Sequence, residues 1–183
     1  GNPGSRYEST RHNVGYRVVD IMMRERQVSF QRWRFSWVYH ARVPGDGETR
    51  PIIFIRWSGY MNESGGAVSF LKRKWHLVPE NFYAVADNMD LPPGACRLKF
   101  SGGDAGHNGL KSLIRAFGAG TFNRIYIGVG RPEFNEEVVA HVLDRPGREG
   151  PAIEGACLKA AAAIWALRSE SFARVAETLN RRE

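Results

Sequence analysis

Four short polar stretches carry side chains able to position a small reactive centre. They are Asn2-Pro3-Gly4 with Arg11-His12-Asn13, then Tyr60-Met61-Asn62, then Asp87-Asn88-Met89-Asp90, and Gly106-His107-Asn108-Gly109. An imidazole exchanges protons near neutral pH, so His12, ahead of a helical pattern, suits general-base work if a carboxylate fixes its tautomer. Asp87, at the end of a short apolar run, is the natural orienting group. Asparagine offers donor and acceptor without charge, so Asn2, Asn62 and Asn108 suit holding a substrate amide, aiming a water or steadying an oxyanion. Each residue also has a plainer reading when taken singly. Most lone histidines cap helices or lie on the surface, and Asn13 and Asn62 stand where helices begin.

Several other chemistries fail on pattern. No serine sits in a G-x-S-x-G elbow, no Walker loop is present, and no H-E-x-x-H occurs. The glycines at 102 and 103 lack the G-x-G-x-x-G spacing of a dinucleotide site. His12, Asp87 and His107 could in principle form a two-histidine, one-carboxylate metal site, but nothing in their spacing supports one, so no metal and no cofactor is expected.

The four stretches need a frame to bring them together. Val14, Val18, Ile21 and Met22 recur at helical spacing and predict an amphipathic helix over residues 13–26. From Trp33 to Val43 the odd positions Trp33, Phe35, Trp37, Tyr39, Ala41 and Val43 are apolar, which predicts a half-buried strand ending at the turn Pro44-Gly45-Asp46-Gly47. Residues 51–56 read as its hairpin partner and, being nearly continuous in apolar residues, as an inner strand. A helix is predicted over 62–76, with Val68, Leu71 and Trp75 on its packed face and Lys72, Arg73 and Lys74 exposed at its end. Short strands over 82–86 and 97–100 flank the turn Leu91-Pro92-Pro93-Gly94. Beyond the glycine-rich loop follow a helix over 110–117, a strand over 122–129 and two closing helices over 153–168 and 171–179. Strands alternating with helices, without repeats or a linker, predict a single α/β globular domain over residues 1–183.

Composition agrees with that frame. Of 183 residues, 43% are hydrophobic, which fits one domain with a real core rather than disorder or two full domains. The 26 Lys plus Arg against 19 Asp plus Glu give a formal charge of +7, and 21 of those cations are Arg. Guanidinium forks match phosphate oxygens, so nucleic acid is a candidate partner, with a solvated basic surface as the plainer reading. No apolar run approaches the roughly 18 residues of a membrane span, and no signal-peptide pattern opens the chain. A cytoplasmic, monomeric protein without membrane contact is expected, or an organellar one if a targeting segment preceded residue 1. Cys96 and Cys157 form no CxxC pair and read as reduced thiols.

The strings GNPGSRYESTRHNVGY (1–16), YMNESGGAV (60–68), DNMDLPPGACRLKFSGGDAGHNGLKSL (87–113) and FNRIYIGVGRP (122–132), in this order and spacing, resemble the bacterial-type peptidyl-tRNA hydrolase family. The resemblance runs over essentially the whole chain, including the closing helices that end in Leu179-Asn180-Arg181. It implies an α/β globule around one mixed, twisted β-sheet surrounded by helices. It also implies an esterase that cleaves the bond between a peptide and the 3′-terminal ribose of tRNA, without a metal. Carried over position by position, His12 resembles the base that activates water, Asp87 its orienting carboxylate, and Asn108 the group that stabilises the oxyanion. Asn2 and Asn62 resemble the asparagines that hold the peptide backbone and place the water. Tyr7, Tyr60, Met61, Gly106 and His107 resemble cleft residues, and Arg97, Lys99 and Arg124 the cations that meet phosphates of the acceptor stem.

The chain departs from the family's pattern at several places. The apolar strand that usually precedes the G-N-P-G turn is lacking, Asn88 replaces a common acid, and Ala105 stands where glycine is frequent. Asp104 adds a negative charge beside the expected phosphate path, and Tyr126 replaces a frequent basic residue. These changes keep a second reading open, that of an RNA-binding relative acting as a partner in organelle RNA processing. Exposure of Trp33 or Trp37 would favour that reading, whereas the enzyme reading expects both in the core.

Overall fold

The computed structural model describes residues 1–34, 36–132 and 138–181. Helix α1 (Val14–Glu25) buries the stripe Val14, Val18, Ile21 and Met22 that its periodicity marks. A single 3-10 turn, Arg11–Asn13, leads into it and carries His12. Strands β1 (Gln31–Arg32), β2 (Val38–Val43) and β3 (Ile52–Trp57) then form an antiparallel sheet in the order β1-β2-β3.

Two sequence readings change here. The strand expected from Trp33 is broken: Ser36 N–H donates to Trp33 O (3.1 Å), while Ser36 Oγ accepts from Val38 N–H (3.2 Å). A short hydroxyl bonding its own backbone gives the chain a turn in place of a ladder, and β1 folds back on β2. Trp37 consequently stands 61% exposed and the alternation resumes only at β2; Phe35 lies outside the described residues. The expected inner strand β3 is instead an edge, with Ile53 39% exposed and only Phe54 fully inward.

Helix α2 (Gly65–Trp75) follows. The second sheet combines β4 (Tyr83–Asn88), β5 (Cys96–Phe100) and β6 (Asn123–Gly128) in the order β4-β6-β5. β6 pairs parallel with β4 and antiparallel with β5, so it is central and buried at every position. The single mixed sheet expected from the sequence is thus present, among the described residues, as two three-stranded sheets, the second of them mixed. The α/β class stands.

One face of the second sheet packs on α1 and the alanine-rich α5 (Gly150–Ala166), through Leu98, Ile125, Ile127, Ile153, Ala156 and Ala160. The other packs on α2 and α3 (Asn108–Phe117), through Val68, Leu110, Leu113, Phe122 and Tyr126. A short helix α4 (Val138–Leu143) has no counterpart among the expected elements, because six residues carry too little periodicity. Helix α6 (Phe172–Asn180) closes on β5, where the Asn180 carboxamide accepts from Leu98 N–H (2.8 Å) and donates to Leu98 O (3.0 Å). No helix of the described residues is long and apolar enough to cross a membrane.

Candidate active site

In open α/β sheets ligands gather beyond the carboxyl ends of parallel strands. Asp87 sits near that end of β4, 5% exposed, and two histidines converge on one of its oxygens. His12 Nδ1 lies 2.8 Å and His107 Nε2 3.1 Å from Asp87 Oδ1. The proton positions follow from the neighbours. His107 is the N-cap of α3, and its Nδ1 accepts from Leu110 N–H (3.2 Å), so its proton resides on Nε2 and points at Asp87. An ionised carboxylate only accepts, so His12 donates through Nδ1 and keeps Nε2 as an acceptor. Burial opposes ionisation of Asp87, but the hydrogen bonds from His107 and then His12 outweigh it and hold the carboxyl below its usual range.

These groups line one cleft of about 740 Å³. One wall is Asn2 with Tyr60, Met61 and Asn62; a second is Gly106, His107 and Asn108; α4 supplies Val138, Val139 and Val142 as an apolar third. Asn2 is fixed from several sides. Its N–H donates to Asn13 Oδ1 (2.7 Å), its carbonyl accepts from Asn13 Nδ2 (2.9 Å), and its Oδ1 accepts from Met61 N–H (2.9 Å). The Nδ2 donor is therefore the end it can offer a ligand. Asn62 and Asn108 are exposed at the starts of their helical segments, and Asn108 opens α3, whose free N–H groups and dipole favour negative charge there.

Local sequence explains how the second wall is built. Asp104 Oδ1 accepts from Gly106 N–H and its carbonyl from His107 N–H, both at 2.8 Å. The extra acid is therefore the hinge of the turn that presents His107. Ala105 and Gly106 take left-handed φ values of 49° and 80°, which explains why glycine suits position 105. A Cβ on Gly109 would lie 2.7 Å from Met61 Sδ and 2.8 Å from His107 Cε1, so only glycine lets these walls meet. Asn88 likewise makes a turn, its Oδ1 accepting from Asp90 N–H (2.7 Å), and Asp90 pairs with Arg131 (2.5 Å) on the rim.

Two sequence-derived site residues stand elsewhere, Arg124 and Tyr7. Arg124 is fully buried: it donates to the carbonyls of Gly102, Gly103 and Gly120 and to Tyr126 Oη (3.1 Å), so it braces the glycine loop and cannot meet phosphate. The central position of its strand, covered by that loop, is the reason. Tyr7 is absent from the cleft, its carbonyl closing a turn with Thr10 and its ring lying beside Arg6. Trp33 and Trp37 are not core. Arg97 and Lys99, by contrast, are exposed on the edge strand β5, with Leu98 turned inward between them.

Arg11 is the functional neighbour that sequence reading missed. Its guanidinium reaches His141 O (3.2 Å), Arg145 O (3.0 Å) and Glu149 (2.9 Å), tying the His12 turn to α4. A buried arginine with long-range partners leaves no periodic signal. Among the described residues, His12, Asp87 and His107 are also the group whose ligand atoms, all within 4.8 Å, could hold a metal ion.

A histidine oriented by a buried carboxylate, beside asparagine and helix-terminus donors in an open cleft on an α/β frame, is the kind of constellation a hydrolase uses. The family model described as peptidyl-tRNA hydrolase matches residues 1–183. A peptidyl-tRNA hydrolase of Xanthomonas euvesicatoria pv. vesicatoria is 37% identical over 171 residues, 93% of this chain and 87% of that one. Another, of Aquifex aeolicus, is 41% identical over 145 residues, covering 78% and 73%. The crystal structure of peptidyl-tRNA hydrolase from Acinetobacter baumannii superposes with a TM-score of 0.90 at 29% identity, covering 100% of this chain and 92% of that one. The chain belongs to the peptidyl-tRNA hydrolase family, and hydrolysis of peptidyl-tRNA is its reaction. The reading as a partner in organelle RNA processing is not favoured.

Proposed function

We propose that His12 Nε2 takes a proton from a water as that water attacks the ester carbonyl joining peptide to the tRNA 3′ end. The carbonyl oxygen becomes an oxyanion met by the Asn108 carboxamide and the N–H groups opening α3. Asp87 holds His12 in the tautomer that leaves Nε2 free and compensates the imidazolium that forms. Collapse of the intermediate breaks the bond to the ribose 3′ oxygen, which takes the proton back from His12. An ester is easier to cleave than an amide, so a placed base and donors suffice without a covalent nucleophile.

Asn2 and Asn62 hold the peptide through its backbone, as a substrate of variable sequence requires, while Tyr60, Met61, Gly106 and His107 shape the cleft. Arg97 and Lys99 meet acceptor-stem phosphates, so affinity falls as salt rises. The chain acts as a monomer, since one copy carries the whole constellation. A cytoplasmic setting fits Cys96 and Cys157, two free thiols whose pKa burial pushes up to about 12.

The observation that carries this reading is the pair of imidazoles donating to one buried carboxylate oxygen at the cleft. The test is turnover of N-acetyl-aminoacyl-tRNA by the native protein and by Asn108→Ala. Loss of the oxyanion donor lowers kcat by about 10²–10³. An unchanged kcat removes Asn108 from that role.

A further inference from the structure

Helix α4 turns one apolar face to the cleft. Val138 and Val142, and Val139 and Leu143, are each four residues apart, so the four share one side of the helix, and all four line the cleft that holds His12 and Asp87. Val138 is 48% and Val139 60% exposed. The other side of the helix faces the protein, where His141 Nε2 lies 3.1 Å from Gly130 O. Single exposed valines are ordinary on an outer surface, but an apolar face open to water inside a reaction cleft gains free energy when a ligand covers it.

This face is fixed relative to the base. Arg11, the residue before His12, donates its N–H to Asp144 O (3.1 Å) and its Nη1 to His141 O (3.2 Å) and Arg145 O (3.0 Å), around the closing end of α4. The turn that carries His12 and the helix that carries the valines are thus held together, and a wall already in place costs little ordering when a ligand arrives.

The substrate's own connectivity indicates which group meets the wall. With the ester carbonyl at His12 and Asn108 and the peptide backbone at Asn2 and Asn62, the Cα bonded to that carbonyl lies in the same cleft. Its side chain has to rest on one of the walls. Those at Asn2 and Asn62 and at His107 and Asn108 offer polar groups, whereas the four α4 side chains offer no hydrogen-bonding atom. A polar side chain set against them sheds water without gaining a partner; an apolar one covers apolar surface.

We propose that Val138, Val139 and Val142 determine specificity: they take the side chain of the amino acid esterified to the tRNA and favour an apolar one. The proposal rests on the roles given above to His12 and the asparagines.

The test compares N-acetyl-leucyl and N-acetyl-asparaginyl esters carried by the same tRNA, two side chains of similar size and different polarity. The native protein shows kcat/KM higher for the leucyl ester by about tenfold or more. In the double variant Val138→Ser, Val139→Ser, with folding checked by thermal melting, the ratio falls to within about threefold, while Val139→Ile keeps it. Comparing ratios between native and variant proteins cancels the intrinsic reactivity of the two esters. Affinities for the corresponding amide-linked analogues, which bind without this ester to cleave, follow the same order. A native ratio near one overturns the proposal, as does a ratio unchanged in the serine variant or an equal loss on both esters. Native turnover without selectivity overturns the wall alone, whereas undiminished turnover by His12→Ala overturns the catalytic reading on which it rests.

Discussion

Replacing Asp87 by Asn keeps the side chain's shape and removes its charge. Asp87 Oδ1 accepts from His12 at 2.8 Å and His107 at 3.1 Å in a site 5% exposed. An amide oxygen still accepts an imidazole N–H, so His12 keeps an orienting bond. The positive charge that forms when His12 takes the water's proton loses its counter-charge. Two unit charges about 4 Å apart attract by about 4 kcal/mol at an effective dielectric near 20. At about 1.4 kcal/mol per decade this corresponds to roughly 10³ in rate, and the retained hydrogen bond offsets part of it. The expected loss is about 10²–10³ in single-turnover release of labelled N-acetyl amino acid, with tRNA affinity unchanged. A rate within about threefold of native, in a folded variant, refutes the argument that Asp87 acts through its charge.

The same carboxylate predicts an acid dependence. Its folded pKa lies below the unfolded value of about 3.9, so its stabilising contribution is complete above that pH and is lost as pH falls through the folded value. Urea midpoints measured from about pH 5 down to pH 2 fall more steeply for the native protein than for Asp87→Asn; parallel slopes contradict this. Gly109→Ala inserts a Cβ against Met61 and His107, which lowers kcat and destabilises by about 1–3 kcal/mol, read as a drop in Tm; unchanged values for both contradict the packing described. Arg124→Met strands buried carbonyls and costs about 1–3 kcal/mol for each, whereas Lys99→Gln leaves Tm in place and lowers the salt slope of tRNA affinity by about 1. A stable Arg124→Met protein with a selective loss of tRNA affinity reverses the assignment of Arg124 as a brace.

What the sequence reveals and conceals follows from the range of each interaction. Helix α1, α3, α5 and α6 are legible because their apolar spacing is local, and the four polar stretches are legible as loops. The break at Ser36 is not, since one hydroxyl bonding its own backbone overrides an alternation that continues through Trp37. Arg97, Lys99 and Arg124 look alike as letters. Only the strand order, with β6 central and β5 at the edge, separates a buried brace from two exposed cations. His107 reads as a cleft residue, but its bond to Asp87 depends on a turn hinged by Asp104 and on the absence of a Cβ at Gly109. Arg11 holds the His12 turn through partners at least 130 residues distant, which no local pattern can show.

The central claim is that His12 is the base. Single-turnover cleavage of N-acetyl-aminoacyl-tRNA by His12→Ala, with tRNA affinity measured alongside, tests it most directly. The account predicts a rate lower by about 10²–10⁴ at native affinity. Cleavage at the native rate by the folded variant contradicts it.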